Sequence, residues 1–323
     1  MLKAQSAPQP KGRKRRALAA VRNELKRHGL VYLTGLPGLV LLFLFNYLPM
    51  MGIIVAFKQY SFKLGIWNSP WAEPLYNNFI YLFKSPFTLR ATFNTLYLNV
   101  LFMVFSTLAG LGLALMLNEI RHRTLKRVTQ SLTLLPYFLS WIVVSVFVYA
   151  FLSEGSGVLN KLLVALGFQP VSWYSEPGYW PALLVIINVW KGLGYGSIMY
   201  LAGLSGVDPS YYEAAQIDGA TRWQQTLHIS LPALLPTIIT LNLLAVGRIM
   251  NADFGFFYGI IGDNALLLET TDVLDTFIFR TLRGLGDVGM SSAAGLYQSV
   301  VAFGLVLVTN KLANRYCDGA GLF

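Results

Sequence analysis

Apolar residues run along this chain in six blocks, each interrupted by a shorter polar stretch, at residues 33–57, 93–117, 131–152, 179–204, 233–250 and 290–310. Crossing roughly 30 Å of hydrocarbon takes about 20 residues of helix, and every block approaches or exceeds that length, the fifth being the shortest. The pattern predicts an all-α, polytopic membrane protein with six transmembrane helices. The stretches between blocks differ in kind. Residues 58–90 are aromatic, with Trp67, Trp71, Tyr76 and Phe79, which suits a membrane–water interface. Residues 153–178 carry Gly155, Gly157, Pro170 and Pro177 and read as a short helix between turns. Residues 251–289 are long and acidic, and are expected to pack against the bundle.

The polar stretch at 208–232, DPSYYEAAQIDGATRWQQTLHISLP, is patterned differently from the rest. Asp208 before Pro209 is a helix start, an acceptor followed by a residue preset to helical φ. Gly219 permits a reversal that a Cβ would resist. Thr221 with Gln224 three residues on forms a capping box, and Leu231-Pro232 is expected to close the unit. The prediction is two short helices folded about a glycine.

Composition supports the membrane assignment: 55% of residues are hydrophobic and 12% charged, against about 25% charged in soluble domains. The net charge of +10 is distributed by side. Sixteen of the 25 Lys and Arg lie in the N-terminal arm, the loop at 118–128, the stretch at 208–232 and the C-terminal tail. The cation-rich side faces the cytoplasm, so both termini and the 208–232 stretch are expected there. The run from Lys11 to Arg16 then reads as a topology signal ahead of an uncleaved first span, with no nucleic-acid partner implied. The expected organisation is a basic arm at 1–30, a six-helix domain at 31–310 with its cytoplasmic loop at 206–232, and a tail at 311–323.

Candidate chemistry is sparse. Cys317 is the single cysteine, and His28, His122 and His228 lie far apart without metal-ligand spacing. No glycine-rich phosphate loop is present, so neither a catalytic site nor a bound metal or nucleotide is expected in this chain. Two cations fall in apolar blocks, Lys191 in the fourth and Arg248 near the outer end of the fifth. A charge in a bilayer faces protein or water, or snorkels to the interface. One reading therefore places Lys191 and Arg248 on a polar pathway with Asn188, Asn242 and Asn251. The other makes the asparagines interhelical hydrogen bonds.

The order Glu213-Ala214-Ala215, Asp218-Gly219-Ala220, then Ile229, Leu231 and Pro232 closely resembles the EAA loop of binding-protein-dependent ATP-binding cassette importers. Tyr32 to Gly38, Phe45 to Pro49, Ala56 to Lys58, Asn94-Thr95-Leu96, Thr271 to Thr276 and Gly295 to Ser299 resemble the oligo- and polysaccharide branch. Over its length the chain is similar to permease subunits of bacterial alginate importers. The resemblance implies a type I permease in the bacterial inner membrane. Its implied partners are a second, distinct permease, two ATPases holding ATP and Mg, and an extracytoplasmic solute-binding protein. It makes the nine residues named from Glu213 to Pro232 the ATPase-coupling set. Arg248 departs from the small residue usual in that branch, which weakens a neutral-sugar reading and supports an acidic, alginate-like saccharide. Neutral oligosaccharide transport, and an ATPase-independent channel or carrier, are the competing expectations.

Overall fold

The computed structural model describes residues 12–316; the start of the basic arm, the end of the tail and Cys317 lie outside them. The chain divides between Ile54 and Val55 into two compact units. The first is helix α1, Gly12–Leu42, kinked at His28 (φ −124°, ψ 19°) and carrying Pro37 inside it. It continues through a widened π turn, Phe43–Tyr47, into Leu48-Pro49. Proline has no N–H to return to the residue four back. Here the preceding Leu48 N–H reaches five back, to the Phe43 carbonyl.

The second unit contains α2 (Asn77–Lys84), α3 (Pro86–Glu119), α4 (Arg123–Leu134), α5 (Trp141–Leu152) and α6 (Trp180–Ser205). After them come α7 (Pro209–Ile217), α8 (Arg222–Val246), α9 (Phe254–Ile261), α10 (Leu274–Leu285) and α11 (Val288–Tyr316). Five helices among the described residues are long and apolar enough to cross a membrane, and a bent pair makes a sixth. That pair corrects the expected third span. Residues 131–152 are not one rod: Arg123–Phe138 and Trp141–Leu152 meet at 99°. Pro136 has no N–H to return to the Leu132 carbonyl, Leu135–Phe138 tightens to a 3-10 turn, and Leu139 is extended (ψ 137°). Ser140 then restarts the chain, its Oγ accepting from the Val143 N–H at 3.4 Å. The sharp bend fits because α6 presents Gly194 to it. A Cβ on Gly194 would lie 2.3 Å from the Thr133 carbonyl oxygen.

Three apolar clusters hold the second unit. The largest joins α3, α5, α6 and α9 around Phe102, Val148, Trp180, Leu184, Phe256 and Phe257. A second seats Leu82, Met250, Leu274 and Phe277 against Ala91 and Ala294. The third, at Ala114, Tyr200, Leu204 and Leu234, packs the other ends of α3, α6 and α8.

Candidate coupling segment and solute pathway

The 208–232 stretch forms the expected pair of helices about Gly219, and its backbone is satisfied almost entirely from within. The Asp208 carboxylate accepts from the Ser210 N–H at 2.9 Å, a bond that holds its carboxyl below the ordinary value. At the other end of α7, Gly219 is left-handed (φ +79°). Its N–H bonds the Gln216 carbonyl and the Ala220 N–H reaches the Ala215 carbonyl at 2.8 Å, the paired closure of a Schellman cap. Thr221 then opens α8 with a complete capping box on Gln224.

The expected closure at Leu231-Pro232 does not occur. α8 runs unbroken from Arg222 to Val246, joining the second short helix to the fifth span. A π turn at Thr226–Ser230 lets the Leu231 N–H bond the Thr226 carbonyl five residues back, the device that also precedes Pro49. The helix start near 222 and the span are therefore one rod, about 37 Å long at 1.5 Å per residue.

Of the residues expected to couple, Glu213, Ala214, Asp218, Gly219 and Pro232 are exposed, while Ala215, Ala220, Ile229 and Leu231 are half-buried. Ala215, Asp218, Gly219, Ala220 and Ile229 border one notch of 310 Å³ between α7 and α8, with His228 on its rim. Three apolar side chains of the stretch that the motif does not include are mostly exposed: Tyr211, Ile217 and Trp223, with Ile217 87% exposed. Their signal in sequence is faint, three apolar residues in a polar stretch. Burying one such side chain is worth about 1.5–3 kcal/mol.

The pathway candidates separate. Asn188 accepts from Ser106 at 3.4 Å and Asn242 from Thr107 at 3.1 Å, so both engage adjacent residues of α3. Lys191 serves the broken span: its Nζ donates to the freed Tyr137 carbonyl at 2.9 Å and lies 4.8 Å from the Trp141 ring. Backbone that leaves the helical pattern at membrane depth needs such a partner. Trp141 in turn donates to Asp253 at 2.6 Å, and Tyr137 stacks on Tyr195 at 4.6 Å. Arg248 lies in the turn beyond the end of α8, exposed, with no side-chain partner among the described residues.

Asn251 belongs to a network that residue-by-residue reading did not assemble. Gln298 of α11 donates to the Met250 carbonyl at 2.7 Å, to Asn251 Oδ1 at 3.2 Å and to Asp275 at 3.1 Å. Asp275 accepts the Ala252 N–H at 2.7 Å, and Asn99 of α3 holds the Ile249 carbonyl at 2.9 Å. One turn earlier on α3, Asn94 donates to the Glu269 and Asp272 carbonyls, each at 3.1 Å. Thr95 accepts the Leu274 N–H at 2.9 Å. Three separate motifs, at 94–96, 271–276 and 295–299, thus meet in one place. Burial pushes the Asp275 carboxyl up, against the N–H donations from Ala252 and Gln298.

A family model described as binding-protein-dependent transport system inner membrane component matches residues 106–311. Protein LplB of Bacillus subtilis is 38% identical over 93% of this chain and 92% of its own length. The polygalacturonan/rhamnogalacturonan transport system permease protein YteP of the same organism is 34% identical over 88% of each. Among solved structures, a chain of a bacterial alginate ABC transporter in complex with an alginate pentasaccharide-bound periplasmic protein superposes with a TM-score of 0.82. It is 34% identical, covering 91% of this chain and 96% of that one.

Proposed function

The chain belongs to the family of binding-protein-dependent transport system inner membrane components, and on that premise we propose that it admits an acidic oligo- or polysaccharide to the cytoplasm. A binding protein outside the membrane delivers the saccharide, a second permease completes the pathway, and two ATPases supply the work. ATP and Mg belong to those ATPases, and this chain performs no bond chemistry of its own. Both termini and α7 face the cytoplasm.

The observation that carries this reading is the unbroken α8 rod, capped and exposed at Thr221 and continuous with the fifth span. α7 docks on an ATPase through Glu213, Ala214 and Ala215, with Ile217 and Trp223 supplying apolar area. Asp218, Gly219 and Ala220 fix the angle to α8, and Ile229, Leu231 and Pro232 carry the displacement into the membrane. A rigid connection is what coupling needs, because a load at one end must bias the state of the other. At the outer end of the same rod sits Arg248, next to the pinned Asn251. The cations Arg248 and Lys191 favour an anionic solute, and the alginate transporter and YteP are named for acidic polysaccharides. Asn188 and Asn242 act as struts to α3 behind that pathway.

Glu213→Arg and Gly219→Pro are expected to abolish binding-protein-stimulated ATP hydrolysis and uptake in the assembled complex, with membrane insertion intact. Wild-type stimulation and uptake in both would sink the coupling assignment. Screening the complex over neutral and uronate oligosaccharides tests the substrate, and stimulation by neutral sugars alone would refute the acidic reading.

A further inference from the structure

A cleft of 700 Å³ opens between the start of α3 and the outer helices, bordered by Arg90, Arg280 and Arg283. Its size falls among the roughly 300–1,000 Å³ of small-molecule sites. Two carboxylates share it, and both are engaged. Asp272 pairs with the Arg280 guanidinium, and Asp263 accepts the Tyr258 hydroxyl at 3.0 Å. Arg90 Nε and Arg280 Nη1 are buried and make no hydrogen bond. Neither atom reaches solvent, so an acceptor in the cleft would bond the Nη groups of Arg90, which make no hydrogen bond among the described residues.

The guanidinium planes are already held. Arg90 lies over the Phe87 ring at 5.2 Å and Arg283 over Phe279 at 5.7 Å, and Arg283 also donates to Tyr258 at 3.3 Å. Planar forks backed by aromatic faces suit carboxylates, which they bind by paired N–H donors. Leu268 and the two rings add apolar wall for the C–H face of a sugar. A lone side-chain carboxylate of a docking protein would leave most of 700 Å³ empty, whereas a short saccharide fills it.

We propose that the Arg90–Arg280–Arg283 cleft is an outer binding subsite for the carboxylates of a uronate oligosaccharide. This rests on the acidic-substrate reading above. Arg280 is committed to Asp272 and its removal strands a buried charge, so Arg90→Gln and Arg283→Gln are the informative variants.

The test is equilibrium binding of a galacturonate pentasaccharide, and of its carboxyl-reduced neutral form, to the full chain in nanodiscs. Loss of about tenfold in uronate affinity for each variant is the expected result, the size of one charge-assisted hydrogen bond. Neutral-form binding, and the thermal midpoint of Arg283→Gln, are expected to stay unchanged; Arg90 also faces the buried Asp272, so a lowered midpoint in Arg90→Gln is read apart from its binding. A wild-type chain that binds no uronate, or variants that bind it as wild type does, overturn the subsite. So does a variant effect that is equal for charged and neutral sugars, or that appears only in binding-protein docking without sugar. Uptake separates the two claims: uronate uptake with no arginine-dependent binding removes the cleft alone. Wild-type uptake confined to neutral sugars removes the substrate reading itself.

Discussion

The two-helix knuckle of residues 208–232 at one end of α8 and the outer segment, residues 250–275, beyond the other are both polar interruptions of an apolar chain, yet they are held in opposite ways. The knuckle is closed by neighbours. Asp208 caps Ser210, Ala220 bonds Ala215, and Thr221 and Gln224 bond each other. The outer segment is held from a distance: Asn94 and Thr95 grip residues 269–274 across a separation of more than 170 positions, and Gln298 grips 250–251 from 47 or 48 away. The knuckle carries its own scaffold. A part that lies against the bundle borrows its scaffold from the spans.

The sharpest way to break this contrast is Asn94→Leu. It leaves two backbone carbonyls without their side-chain donor at a buried position, at a cost of about 2–3 kcal/mol. The expected outcome is a lowered thermal midpoint and protease cleavage within 263–275, with the knuckle unaffected. An unchanged midpoint would mean the outer segment does not depend on its long-range donors.

Thr221→Ala probes the other end. Loss of the capping box is worth about 1 kcal/mol and is expected to fray the first turn of α8 alone. Coupled ATP hydrolysis should fall several-fold while the outer cleavage pattern stays as in wild type. A global fall in stability would show that the knuckle is not self-contained.

The smallest effect is in acid, where the two ends should respond with opposite sign. Asp208 is held below the ordinary carboxylate value, so its cap is intact above that value and is lost as pH falls through the lowered one. Asp275 is raised by burial; its contribution is fully present below the ordinary value and is lost as pH rises through the raised one. Hydrogen-exchange protection, corrected for intrinsic rates, should therefore weaken at α7 and strengthen at 250–252 on acidification. Asp208→Asn, an equally good cap, should abolish the first trend. Parallel trends at both ends would contradict the contrast.

The same division explains what could be read from residue order. Gly219, the Asp208-Pro209 start and the Thr221–Gln224 box were all legible, because each completes its bonds within five residues. The third span was not. Its apolar run is continuous across Leu139, and Pro136 alone does not specify a 99° bend. Gly194 and Lys191, some 55 residues on, make the bend possible by giving it space and a donor. Lys191 showed in sequence as an anomalous charge, but its acceptor, the Tyr137 carbonyl, has no side-chain signature. Leu231-Pro232 misled in the other direction: proline suggested a stop, and the π turn at Thr226–Ser230 carried the helix through it.

By itself the sequence determined five of the apolar spans and the two-helix knuckle, because hydropathy and caps act over one turn or one membrane thickness. Tertiary structure alone decided that α8 is one continuous rod, that the third span breaks at Leu139, and that the motifs at 94–96, 271–276 and 295–299 share one network. The physical reason is that polar groups among packed spans have little water to bond. Each must find a partner wherever the fold brings one, and no local pattern records which one that is.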